Sequence, residues 1–139
     1  MADRPYGLIA TFDSTGALYH AANRDPALAH AVVVGAAAAL GLVLVVGPPA
    51  GELQRAAERA GAPFAREGFA DRAMRSDGSL VPRTEPGAVL ADVAQARAQA
   101  RRLALSGGFD TLCVHGDSPG ALAIARAVRE ELDDLGAGG

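Results

Sequence analysis

Two patterns of apolar residues share this chain. Continuous apolar runs at positions 6–12, 42–46 and 111–114 are too short for helices and read as strands, with a further, shorter strand placed around 63–67. Between them apolar residues recur at helical spacing. Asp25-Pro26 caps a helix that runs through Leu28, Val32, Val33 and Ala36 to about Leu40. Leu53, Ala56, Ala57 and Ala60 fall on one helix face, with Arg55, Glu58 and Arg59 on the other and Gly61 as the stop. From Asp92 a capping-box variant opens a helix with Val93, Ala96, Ala100 and Leu103 inward, closing at Gly107-Gly108. In the last helix, Ser118 serves as N-cap and Pro119 as the first helical residue. Leu122, Ala125, Val128 and Leu132 share its inner side, while Glu130, Glu131, Asp133 and Asp134 form a solvated face. Residues 17–20 read as a short helical or irregular piece after the turn at 13–16.

This alternation predicts an α/β fold of four parallel βα units joined by right-handed crossovers, in a single domain spanning residues 1–139. Either a small open sheet or half of a barrel satisfies it. The strand carboxyl ends at Asp13, Gly47, Glu67 and His115 are then expected along one rim. A half barrel would leave sheet edges and apolar surface uncovered, so self-association is expected as well.

Composition narrows the picture. The chain is 50% hydrophobic but only 4% aromatic, so its core must be built from Ala, Val and Leu, with close backbone approach. A net charge of -3, with little basic clustering beyond Arg101-Arg102, excludes a general nucleic-acid binder. The single cysteine, Cys113, excludes an internal disulfide and fits a reducing, cytoplasmic compartment; on a strand it reads as an inert buried hydrophobe. Residues 31–51 carry no charge, yet they divide at Gly41 and stop at Pro48-Pro49, which argues against a membrane span. The first residues lack the apolar segment of a secretory signal. Phosphate-loop, dinucleotide and metal-site signatures are absent, and no metal is expected.

Candidate chemistry concentrates in two places. The strand at 111–114 stops at His115-Gly116-Asp117, which sets an imidazole and a carboxylate at a strand's carboxyl end, where α/β proteins place ligands. Such an imidazole suits general base work or ligand binding, although a Gly-Asp-Ser-Pro turn is also common structural punctuation. The second place is the charge-rich stretch 69–83, with its Ser76-Asp77-Gly78-Ser79 turn and no sustained period, either a functional loop or a solvated one. His30 reads as structural, and His20 is left unassigned.

Several strings in this order resemble the LamB/YcsF family of 5-oxoprolinase A subunits. They are Phe69-Ala70-Asp71-Arg72, Asp77-Gly78-Ser79-Leu80-Val81-Pro82-Arg83, Pro86-Gly87-Ala88-Val89 and the segment 110–117. Gly16-Ala17-Leu18-Tyr19 looks like the tail of that family's Lys-Pro-His-Gly-Ala-Leu-Tyr motif, and Asp25-Pro26-Ala27-Leu28-Ala29 matches the residues after it. Asp13, Ser14 and Thr15 stand where the motif has Lys, Pro and His. The resemblance implies a partial barrel related to the seven-stranded glycoside hydrolase/deacetylase type, with the chain matching its C-terminal part and the N-terminal half missing. It also implies ATP-dependent opening of 5-oxoproline to L-glutamate together with two further subunits.

The resemblance supplies the motif positions, and chemistry and chain position give the roles: the expected catalytic residues are Glu67, Asp71, His115 and Asp117, and the expected substrate-binding residues are Gly16, Tyr19, Arg72 and Arg83. His115 with Asp117 or Asp71 would manage protons, and the arginines would hold a carboxylate or phosphate. The competing expectation is a non-catalytic remnant that binds a small anion or a partner subunit.

Overall fold

The computed structural model describes residues 17–137, so the predicted strand at 6–12, the strand end at Asp13 and the candidate residue Gly16 lie outside the described residues. The chain forms two compact units, one ending at Arg66 and the other beginning at Glu67.

In the first unit, α1 (Ala17–Ala22) leads into α2 (Pro26–Leu40), β1 (Val45–Gly47) and α3 (Glu52–Ala60). Asp25 caps α2 as its sequence suggests, its carboxylate accepting from the backbone N–H groups of Ala27 and Leu28 at 2.8 and 3.1 Å. Gly61 ends α3 in the left-handed conformation, φ 67°, and its N–H returns to the Ala57 and Glu58 carbonyls. Ala22, Ala29, Val33, Val43, Val45, Leu53, Ala56 and Ala57 make the core. The mostly small side chains let the helices approach closely, as the composition requires. α2 is apolar around its circumference, and Val34 and Leu40 on it stay exposed, as does Leu42 just beyond. Among the described residues no helix is long and apolar enough to cross a membrane.

β2 (Phe64–Phe69) runs through the division between the units. Its first half pairs in parallel with β1, from Val45 opposite Phe64 to Gly47 opposite Arg66. Its second half pairs in parallel with β3 (Thr111–Cys113), from Glu67 opposite Thr111 to Phe69 opposite Cys113. The strand therefore reaches two residues past the expected end at Glu67. At Gly68 in this extension a Cβ would lie 3.0 Å from the Phe109 ring, 3.1 Å from Leu112 and 3.2 Å from Leu103, so a side chain there would press on its neighbours.

The second unit adds α4 (Val93–Leu105) and α5 (Ala121–Ala137). Asp92 caps α4 through the Gln95 N–H at 2.9 Å. Two helix faces differ from expectation. On α4, Val93 is exposed and Gln99 is buried beside Ala96, Ala100 and Leu103. On α5, Leu122 and Ala125 are exposed, and the buried side carries Ile124, Ala127, Val128 and Glu131. Pairing explains the buried acid: Arg97 Nε donates to Glu131 Oε2 at 2.6 Å and Arg101 Nη1 to Oε1 at 2.7 Å, tying α4 to α5. The start of α5 also shifts. Ser118 to Ala121 close a turn through the Ala121 N–H, and the first helical bond runs from the Ile124 N–H to the Gly120 carbonyl, so Ser118 is not the cap and Pro119 is not in the helix. Cys113 is half-buried, not fully buried.

Hydrogen bonds from Arg101 and Arg97 hold the Glu131 carboxyl below the ordinary carboxylate range. A depressed carboxyl stabilises the fold above its unfolded pKa and loses that contribution as pH falls through the lower folded value. Glu131→Gln is expected to lower Tm by several degrees at neutral pH and to weaken the acid sensitivity of the fold below about pH 4. Thermal melts of both proteins across that range check it, and matching curves would refute it.

Candidate active site

The site is built in the second unit from the turn after β2 and the turn after β3. One residue beyond β2, the Ala70 N–H donates to the Cys113 carbonyl at 3.0 Å, which continues the ladder. Asp71 follows, with its carbonyl accepting from the Leu90 N–H at 2.9 Å. The charged stretch beyond it is ordered as a folded-back loop. Arg72 bridges Val89, Met74 bridges Leu80, and Asp77 holds the Ser79 N–H and hydroxyl at 2.9 and 2.6 Å.

Asp71 is 4% exposed and spends its carboxylate on one residue. The His115 N–H donates to Oδ2 at 2.7 Å, and His115 Nδ1 lies 2.9 Å from Oδ1 and 3.2 Å from Oδ2. An ionised carboxylate only accepts, so the hydrogen-bond network assigns the proton to Nδ1 and leaves Nε2 as the basic nitrogen. The ring also stacks loosely on Phe69, with centroids 5.9 Å apart and planes at 16°. A buried carboxylate that fixes one imidazole nitrogen and supports the charge when the other takes a proton is the arrangement of a general base.

Beside this pair stands a cation with unmet bonding capacity. Arg72 is 7% exposed, and its buried Nε has no hydrogen-bond partner among the described residues. Burial, and next the neighbouring Arg83, push the Arg72 guanidinium down from its ordinary pKa, while Asp71 and Asp117 act in the opposite direction. A buried arginine with an orphaned donor fits a site awaiting an anion. Arg83 Nη2 meets Asp117 Oδ2 at 2.5 Å, joining the loop to the turn after β3, and this hydrogen bond holds the Asp117 carboxyl below its ordinary range.

The expected site residues thus fall into groups. Asp71 and His115 are brought into direct contact, Arg83 and Asp117 form an exposed ion pair, and Arg72 lies within electrostatic reach of Asp71, Asp117 and Arg83. Glu67 is placed inside β2 opposite Thr111, two residues short of the strand's end. Tyr19 is buried in α1 of the first unit, edge-on to His20 at 5.4 Å. Sequence reasoning missed Gln99, whose buried amide donates to the Phe69 and Arg72 carbonyls, both at 2.6 Å. Its only sequence signal is an amide at a core position between Ala96 and Leu103.

Parallel strands carrying an acid–imidazole pair at their carboxyl ends define an α/β protein with an enzyme-like site. The LamB/YcsF family profile matches residues 8–138, and the chain belongs to that family. It is 41% identical over 133 residues to the 5-oxoprolinase A subunit of Symbiobacterium thermophilum, covering 87% of this chain and 51% of that protein. To the 5-oxoprolinase A subunit of Methylococcus capsulatus it is 42% identical over 129 residues, covering 84% and 50%. The crystal structure of a lactam utilization protein from Thermus thermophilus superposes with a TM-score of 0.76 at 34% identity, covering 87% of this chain and 53% of that one. The chain spans about half the length of the curated relatives it matches.

Proposed function

We propose that this chain carries a lactam-opening site and works as a homologue of the 5-oxoprolinase A subunit, converting 5-oxoproline to L-glutamate with two partner subunits. The observation that carries the reading is the buried Asp71–His115 pair, in a chain of a family whose named relatives are 5-oxoprolinase A subunits. His115 Nε2 takes a proton from water as the water oxygen attacks the lactam carbonyl carbon. The ring C–N bond then breaks and the same proton passes to the departing nitrogen, so that water and lactam become one amino acid and the imidazole is restored. Asp71 supports the imidazolium in between, and Arg72, with Arg83, holds the substrate carboxylate.

ATP is implied by the family resemblance, and the sequence holds no G-x-x-x-x-G-K loop for it. This reading gives the nucleotide chemistry to the partner subunits, and no step above runs through it. The apolar residues left exposed around α2, Val34, Leu40 and Leu42, support contact with a partner or a second copy. The lone cysteine suits a cytoplasmic setting.

A second reading is a non-catalytic module that binds a small anion or a partner subunit. Arg72 favours it specifically, since its buried Nε is an unmet donor that an anion could satisfy whether or not a reaction follows. Mixing the full chain with partner subunits, ATP and 5-oxoproline separates the two. Glutamate release that depends on this chain is expected; 5-oxoproline binding without glutamate would leave the binding module.

A further inference from the structure

We propose that Gln99 is a positioning residue that holds Asp71 in register with His115, an inference that rests on reading this pair as the working site. Its Nε2 donates to the Phe69 carbonyl and to the Arg72 carbonyl, each at 2.6 Å, and these two groups flank Asp71 along the chain. Gln99 Oε1 accepts from Arg102 Nη2 at 2.8 Å. That third bond fixes the amide's orientation, because a flipped amide would turn its oxygen toward two carbonyl oxygens and its nitrogen toward a cation.

Gln99 lies on α4 between fully buried Ala96 and Ala100 and the nearly buried Leu103, and is itself 8% exposed. An apolar residue would satisfy the core there. A buried amide is tolerable only when its bonds are met, and here both donated bonds serve the turn that carries the catalytic carboxylate. The ladder bond from Ala70 to Cys113 and the Leu90 bond to the Asp71 carbonyl hold other points of that turn. Gln99 supplies its attachment to the helix. Without it the turn can relax, and the contacts from Asp71 to the His115 N–H at 2.7 Å and to Nδ1 at 2.9 Å lose their geometry.

The test uses the full chain, labelled with nitrogen-15, and the variants Gln99→Leu, which keeps bulk without donors, and Gln99→Asn, which keeps an amide of shorter reach. Two signals report on the pair directly: the Nδ1–H resonance of His115, and hydrogen exchange of the His115 amide relative to that of Leu112. The expected result is a folded variant whose Nδ1–H resonance broadens away and whose His115 amide exchanges about tenfold faster or more, with kcat reduced and KM little changed. A folded variant that keeps both signals would overturn the proposal, and so would loss of the fold in both variants, which would make Gln99 a residue of stability alone. Neither signal needs substrate, so this inference can fail while ring opening stands, and an inactive parent would sink the functional reading while the two signals still decide this one.

Discussion

Asp71→Asn is expected to slow glutamate formation roughly a hundred- to ten-thousandfold while the protein stays folded. The substitution keeps the side chain's shape. It removes what the site uses, since both carboxylate oxygens lie within reach of Nδ1 and one also accepts the His115 N–H. An amide offers one oxygen for the His115 N–H and turns its N–H₂ group toward Nδ1, so the imidazole keeps that contact only by carrying its proton on Nε2, which is then no longer basic. The charge that supports a protonated imidazole goes with it. Exchanging charge-assisted hydrogen bonds for neutral ones is expected to cost about 1 kcal/mol of stability. Glutamate release and thermal melting on the same preparation check both parts, and activity within tenfold of the parent would remove Asp71 from the mechanism.

Arg72→Met is expected to split binding from stability. With the guanidinium gone, affinity for 5-oxoproline or inorganic phosphate should fall about ten- to a hundredfold, the size of a lost hydrogen bond to a charged group. Tm should hold or rise. Arg72 is buried with its Nε unpartnered among the described residues, and replacing it by an apolar chain of similar length removes the cost of burying that unsatisfied donor. Titration calorimetry and melting curves of parent and variant decide it. A large drop in Tm with unchanged affinity would make Arg72 a structural residue.

Local signals in the sequence suffice wherever structure is made locally. Asp25 and Asp92 cap their helices through N–H groups two or three residues away, and Gly61 takes the left-handed turn that ends α3. Burial is harder to read, because the pattern turns apolar positions inward, yet Val93 and Leu122 face water while Gln99 and Glu131 are buried. Their hydrogen-bond partners explain the inversion: Gln99 reaches the Phe69 carbonyl and Arg97 reaches Glu131, pairs 30 and 34 residues apart. No local period registers a bond of that span. The site shows the same division. Both Asp71 and His115 are visible as candidates, but their contact joins positions 44 residues apart and depends on β2 continuing to Phe69. At the start of α5, Ser118-Pro119 has the composition of a cap, but a turn closed by the Ala121 N–H on the Ser118 carbonyl comes first, and composition alone does not distinguish the two.

That Asp71 and His115 act as one catalytic unit is tested most directly by a double-mutant cycle, Asp71→Asn with His115→Gln, read as glutamate release from 5-oxoproline with the partner subunits and ATP present. A shared role predicts that the double variant is no slower than the worse single variant, within about threefold, because either change alone already disables the base. Losses that multiply would contradict it, since they would mean that the carboxylate and the imidazole serve the reaction separately.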